Sequence, residues 1–305
     1  MSAARDSHKT PTPGAQIEWI APSEDLRELV NTLFILRVGK GRREGMMPAY
    51  SAQLCVFVKG QVSIQHADGS LGHSGAITFN APLLQAAPIV MQGPIINVGA
   101  SFTPLGWAAV SNLPVDTVHN VTLEADTVVA DKHLADLTEQ LKRCRKSEIV
   151  PQALCAPIEA MIRSAAKANE RTSRSDHRAM IAAIESWLSG SLNPPVAELY
   201  DSVDLSPRQI QRLCKRYFGV PPAQLVKRYR AIRAAMLLAN DDLSGDLRDD
   251  ALGSYFDQAH LIHDLRRFTG RTPKRLAKDQ LSQDFLDPNA HGRSADVVRS
   301  DDFED

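Results

Sequence analysis

Apolar positions fall into two regimes along the chain. From about residue 17 to 103 they come as short bursts with strand character. QLCVFVKG (53–60) and QVSIQH (61–66) read as two short strands, the second alternating through Val62, Ile64 and His66. Asp68-Gly69 suits a tight hairpin turn, the run from Gly75 to Phe79 follows as a further strand, and GPIINVGASF (93–102) has the continuous apolar character of a buried strand. Several short strands at this spacing predict a small barrel or sandwich. After Phe102 the period becomes helical. Thr103 is placed to cap a short helix with Pro104 in its first position, and longer helices are predicted over 130–145 and 151–168. The second of these puts Leu154, Ile158, Met161, Ile162 and Ala165 on one stripe. The polar run KANERTSRSD (167–176) reads as a linker, and beyond it everything to about 279 reads as helix and turn.

Within that last third, PPVAELYDSVDLSPRQIQRLCKRYFGVPPAQL (194–225) is the best-specified stretch. Pro195 through Ser202 forms a short helix with Val196 and Leu199 inward. Ser206 then caps a second helix that has Pro207 in its first position. Ile210, Leu213, Cys214 and Tyr217 follow the spacing of one buried stripe, while Arg208, Gln211, Arg212 and Lys215 fall opposite. Gly219, Pro221 and Pro222 stop the helix. Two short helices about a tight turn, the second basic and amphipathic, have the geometry that lays a recognition helix in the major groove of double-stranded DNA. The residue types suit that task. Arginine pairs bidentately with guanine and glutamine with adenine, whereas Lys215 and Arg216, nearer the helix end, are placed for phosphate.

Composition changes the picture only locally. The 305 residues are 43% hydrophobic and 23% charged, with a formal net charge of −1, so the whole-chain balance selects no partner. Yet Arg208, Arg212, Lys215, Arg216, Lys227, Arg228, Arg230 and Arg233 follow one another with no acid between them, the footprint of a nucleic-acid surface. The far end is acidic instead (Asp284, Asp287, Asp296, Asp301, Asp302, Glu304, Asp305). Cys55, Cys144, Cys155 and Cys214 lack C-x-x-C spacing and read as reduced thiols. The polar N-terminus has no secretory core. The uncharged stretch from Ile77 to Val115 is broken by Pro82, Pro88, Pro94 and Pro104 into pieces too short to cross a bilayer as helices, so a soluble cytoplasmic protein is expected, nucleoid-associated when on DNA.

The string DLSPRQIQRLCKRYFGVPPAQLVKRYRAIRAAMLL resembles the first helix-turn-helix and linker helix of AraC/XylS-type bacterial transcription regulators. GSYFDQAHLIHDLRRFTGRTPKRL (253–276) is similar to their second unit. The resemblance covers Asp176 to Lys278. It implies base-reading positions at Arg208, Gln211 and Arg212, and at Gln258, Ala259, Ile262 and His263, with two major-groove segments held in register by a helix at about 222–239. Phosphate contacts are expected from Lys215, Arg216, Arg266 and Arg267. The chain departs from the family pattern at Tyr200, Asp204, Asp250 and Ser254, where small residues and glycine are usual. The leading helix of the second unit (about Leu243–Leu252) carries Asp246, Asp249 and Asp250, and its recognition helix carries Asp264, acids that repel a phosphate backbone if they face it.

The expected fold class is therefore α+β in two domains. A cupin-like β-barrel with flanking helices (17–168) is joined by a linker (169–176) to an all-α domain with two helix-turn-helix units (177–279), between a disordered arm (1–16) and an acidic disordered tail (280–305). SFTPLGWAAVSNLPVDTVHNVTL (101–123) is similar to a segment of the sensor half of such regulators, which implies a small-molecule effector, a homodimer and RNA polymerase as partners. A metal-dependent cupin enzyme fused to a DNA-binding module is the rival reading. It needs converging imidazole and carboxylate ligands, typically with a His-x-His pair. Here His66, His73 and His119 stand singly, no catalytic motif is present, and no metal, cofactor or catalytic residue is expected. Cys55 reads as core, and Phe57, Phe79 and Trp107 are apolar candidates for a pocket wall.

Overall fold

The computed structural model describes residues 15–169, 175–240, 245–255 and 258–299. Its N-terminal part is one antiparallel sheet. The strands are β1 (Ala15–Ile20), β2 (Val30–Met47), β3 (Gln53–Gln65), β4 (Leu71–His73), β5 (Ile77–Asn80), β6 (Ala87–Phe102) and β7 (Thr122–Glu124). They run in the order β1-β2-β6-β3-β5-β7, with β4 added to β3 beyond the Asp68-Gly69 hairpin. No ladder joins β1 to β7 among the described residues, so the barrel is open along that seam.

Strict alternation along the long strands sorts side chains onto two faces. Leu33 and Ile35 of β2, Leu54 and Val56 of β3, and Val98 and Ala100 of β6 face one core. It is covered by α1 (Pro104–Ser111), α3 (Asp131–Arg145) and α4 (Cys155–Asn169), with α2 (Ala125–Val128) beside them. Trp107, Phe79, Phe102, Leu137 and Ile158 are wholly buried there, each contributing roughly 1.5–3 kcal/mol by leaving water. The expected α4 stripe is in place: Leu154, Ile158, Met161, Ile162 and Ala165 are all in this core. Thr103 caps α1 as expected, its Oγ1 accepting from Gly106 N–H at 2.9 Å. The alternate residues, Phe34, Leu36, Val38, Cys55, Phe57, Ile89 and Met91, line the opposite, concave face.

The register between β3 and β6 shifts around Lys59, where Gly60 has φ +70 and a side chain would collide with Pro94 O at 2.6 Å. The two strands expected over 53–60 and 61–66 are thus one strand, bent at a bulge that only glycine accommodates.

In the C-terminal part, α5 (Ser175–Ser189) precedes two helix-turn-helix units, α6 (Val196–Asp201) with α7 (Pro207–Phe218), and α9 (Gly245–Gly253) with α10 (Gln258–Thr269). α8 (Pro222–Ala239) joins them, and α11 (Pro273–Leu276) follows. α8 enters both cores. Leu225 and Val226 pack with Ile184, Ile210 and Cys214, while Ala235 and Leu237 pack with Leu261, Leu265 and Phe268. Its Arg233 is 1% exposed, and the guanidinium donates to Leu188 O at 2.5 Å and Ser191 O at 2.8 Å, closing carbonyls that the end of α5 leaves open.

Two expectations at the termini are corrected. Ala15 and Gln16 are not part of a disordered arm but open β1, paired with Val38 and Arg37; residues 1–14 lie outside the described part. The segment from 280 is not a disordered tail either. It forms α12 (Gln280–Phe285), two short 3-10 turns and α13 (Asp296–Arg299), and it buries Phe285, Leu286, Ala290, Ala295 and Val298. Its acidic average conceals these sparse apolar positions, which is why composition misread it. Residues 300–305 lie outside the described part.

Candidate nucleic-acid interface

α7 is built to hold a polar face rigid. Ser206 Oγ accepts from Gln209 N–H at 3.4 Å while Gln209 Oε1 accepts from Ser206 N–H at 2.9 Å, a reciprocal capping box. At the far end Gly219 takes φ +82, a left-handed turn that suits glycine, and its N–H closes onto Lys215 O. Ile210, Leu213, Cys214 and Phe218 are buried; Tyr217, expected in that stripe, is only half-buried and its hydroxyl meets His177 Nδ1 at 2.6 Å. Arg208, Gln211, Arg212 and Lys215 are exposed together on the outer face. Gln211 Nε2 donates to Tyr200 OH at 3.1 Å, so Tyr200, large where the family has a small residue, braces one candidate reading group.

Arg216 is different. It is half-buried, its buried Nε has no acceptor, and its guanidinium lies 5.8 Å from the Tyr217 ring. Nor does the acid-free run from Arg208 to Arg233 form one surface. Arg208, Arg212, Lys215 and Lys227 are exposed, whereas Arg216, Arg228 and Arg230 are half-buried and Arg233 is buried.

α10 repeats the arrangement. Leu261, Leu265 and Phe268 are buried, Gln258, Ala259, His263, Arg266 and Arg267 are exposed, and Ile262 is half-buried. Asp264 turns inward and pairs with Arg230 of α8 at 3.2 Å, with both side chains under a fifth exposed. The same guanidinium stands 4.1 Å from the centre of the Tyr255 ring, whose hydroxyl burial pushes up to about 12. In α9, Asp246 and Asp249 are exposed.

Residues 199–279 match the family described as a helix-turn-helix domain. The matched segment is a helix-turn-helix domain of the AraC type. No curated protein matches the chain. Among solved structures, ToxT from Vibrio cholerae bound to (E)-4-(8-methylnaphthalen-1-yl)but-3-enoic acid is similar at 10% identity and TM-score 0.47, over 86% of this chain and 98% of that one. The AraC-like transcriptional activator CuxR is similar at 14% identity and TM-score 0.33, over 81% and 88%. A cupin-like protein from Thermotoga maritima is similar at 12% identity and TM-score 0.23, over 30% and 69%.

The second helix of each helix-turn-helix unit, α7 and α10, ends against the N-terminal sheet domain. Val115 N–H donates to Arg216 O at 2.7 Å at the end of α7. Ala86 N–H donates to Arg267 O at 2.9 Å and Ala49 N–H to Phe268 O at 2.7 Å at the end of α10. The last carbonyls of a helix lack intrahelical partners, and three of them find partners on the other domain. Gly219 and Gly270, both left-handed, sit so close to Leu84 and Met46 that a side chain at either would collide. Nothing in the one-dimensional pattern signals these contacts. Ser206 was legible as a cap while its partner Gln209 was not singled out, and Arg230 and Arg233 were counted as surface charge.

Two cavities adjoin the sheet. A small one, about 40 Å³, lies on the concave face among Trp19, Phe34, Cys55, Phe57, Asn97 and Phe285. Asn97 is 4% exposed and its Oδ1 has no hydrogen-bond partner. The larger, about 910 Å³, lies between the domains and is lined by Trp19, Tyr50, Trp107, Arg178 and Tyr229 among others. Of the apolar candidates, Phe57 therefore lines the first and Trp107 the second, while Phe79 is core. Cys55 is buried, which pushes its thiol up to about 11. His66 is buried beside Thr122, and burial lowers its pKa; His73 meets Ser63 Oγ, and His119 meets Val115 O. Among the described residues no three His, Cys, Asp or Glu side chains converge as metal ligands. Nor is any described helix long and apolar enough to cross a membrane.

Proposed function

We propose that the chain is a sequence-specific transcription regulator whose AraC-type domain reads two successive major-groove segments of double-stranded DNA under control of its N-terminal domain. Arg208, Gln211 and Arg212 read bases from α7, and Gln258, Ala259, Ile262 and His263 read them from α10. Lys215, Arg216, Arg266 and Arg267 neutralise phosphates. A small-molecule effector or dimer geometry sets how the two units present themselves, RNA polymerase is the downstream partner, and the protein acts in the cytoplasm at the nucleoid without an enzymatic activity of its own.

The observation carrying this reading is the exposed, rigidly capped face of α7 with Arg208, Gln211, Arg212 and Lys215 side by side. A recognition helix has to be stiff and outward-facing at once, and this one is both. Effector control is supported by the contacts tying the ends of α7 and α10 to the sheet domain, because any shift of that domain moves both helices.

The test is to map the genomic sites bound by the full chain and measure affinity for them by fluorescence anisotropy at several salt concentrations. A bipartite site is expected, its halves about 10 base pairs apart, with affinity falling steeply as salt rises. Binding that ignores sequence, or no binding at all, removes the proposal. Metal analysis of the purified chain bears on the enzyme question, since a stoichiometric bound metal points to the barrel enzyme instead.

A further inference from the structure

The concave face of the sheet is occupied by the chain's own C-terminal segment. Phe285, at the end of α12, forms part of the wall of the small cavity together with Ile17, Trp19, Phe34, Cys55 and Met91, and it is 5% exposed. Leu281 packs over Gly45 of β2 so closely that a side chain there would collide with it. Two further contacts hold the segment down. Tyr50 OH donates to Ala290 O at 2.9 Å, and Gly292 lies against Asn31. At its other side the segment is tied to the DNA-binding domain. Arg271 bonds Asp279 at 2.6 Å, and Ala295 and Val298 are buried in the core that holds α8 and α10.

We propose that residues 280–299 are an intramolecular plug and strap: Phe285 fills the concave interior of the sheet, and anything entering that interior has to eject it and slacken the second helix-turn-helix unit. The regulatory meaning rests on the proposed function; the plug itself does not. The interior it covers is apolar with one unpartnered amide oxygen, that of Asn97, so a compact apolar molecule carrying a hydrogen-bond donor fits it. The strap acts unequally on the two units. Segment 280–299 packs with the second unit's core, so its release loosens the Ala49–Phe268 and Ala86–Arg267 contacts and leaves Val115–Arg216 in place.

The cysteines supply the assay. Cys55 lines the plugged interior, Cys144 and Cys214 are buried elsewhere, and Cys155 is half-exposed. N-ethylmaleimide labelling of the full reduced chain is followed at each cysteine by peptide mass spectrometry, and amide exchange is read in peptides containing Ala49, Ala86 and Val115. Phe285→Ala is expected to speed labelling of Cys55 roughly tenfold or more, because a deleted aromatic anchor raises the open population. Cys144 and Cys214 stay unchanged, and exchange accelerates at Ala49 and Ala86 but not at Val115. Tyr50→Phe, which deletes one hydrogen bond and no apolar volume, shifts Cys55 in the same direction by less. Unchanged Cys55 labelling in both variants overturns the plug, and so does a joint rise at all three buried cysteines, the mark of general unfolding. Faster Cys55 labelling with unaltered exchange at Ala49 and Ala86 overturns the strap. No DNA is involved, so failure here is distinct from failure of the regulator reading.

Discussion

Replacing Arg230 by alanine tests how α10 is held in place. The guanidinium reaches Asp264 at 3.2 Å, with side-chain exposures of 17% and 13%, and covers the Tyr255 ring at 4.1 Å. Removing one partner of a fully buried ion pair costs about 3–5 kcal/mol, and the residual exposure here lowers that to about 2–3 kcal/mol. The lost ring contact adds about 1 kcal/mol. The local stability of the α9–α10 unit should therefore fall by about 3–4 kcal/mol, set mainly by the stranded carboxylate of Asp264. The assay is amide hydrogen exchange of the full chain, comparing peptides from 258–269 with those from 207–218 as an internal reference. Adding Asp264→Asn should recover about 1.5–3 kcal/mol relative to Arg230→Ala alone, because the stranded charge is gone. If Arg230→Ala leaves the exchange of α10 as in the parent chain, or if the second substitution brings no recovery, the pair is not what positions the helix.

Three further outcomes follow from α7. Arg212→Ala should cost about 1–3 kcal/mol at the target duplex and relax preference at one base position in a binding-site selection; an equal loss on every sequence would reduce Arg212 to a phosphate contact. Lys215→Ala should weaken specific and nonspecific binding alike and flatten the logarithmic salt slope by about one unit, so an unaltered slope takes Lys215 off the backbone. Ser206→Ala removes the side-chain half of the capping box, leaving Gln209 Oε1 its bond from the backbone N–H at 206, and should lower stability by about 1 kcal/mol in urea titrations of the full chain. No change there would mean the neighbouring Pro207 alone fixes the start of the helix.

What was legible in the sequence was whatever is written locally. The cap at Thr103, the stripe through Leu154, Ile158, Met161, Ile162 and Ala165, and the Gly219 stop of α7 depend on neighbours within a few residues. The bend at Gly60 was misread as a gap between strands because a bulge and a turn both ask for glycine. β1 and β2 were not singled out; the polar GKGRREG half of β2 lacks strand character and takes its form from the ladder to β6. The inward turn of Asp264 needed a partner, Arg230, thirty-four positions away. Charge counting likewise treated Arg233 as surface, although it works as a buried clasp on the end of α5.

Three of the ties between the sheet domain and the ends of α7 and α10 are written in main chain. To these three bonds Ala49, Ala86 and Val115 contribute an amide hydrogen, and Arg216, Arg267 and Phe268 a carbonyl. Of these six places only Arg267 is exposed, so the three bonds lie in the backbone while Ala49, Val115 and Phe268 also serve the packed cores. Proline is the one replacement that deletes the donor outright. A proline at 86, where the side chain is only half-buried, is thus the economical way to cut one of these ties at least cost to either core.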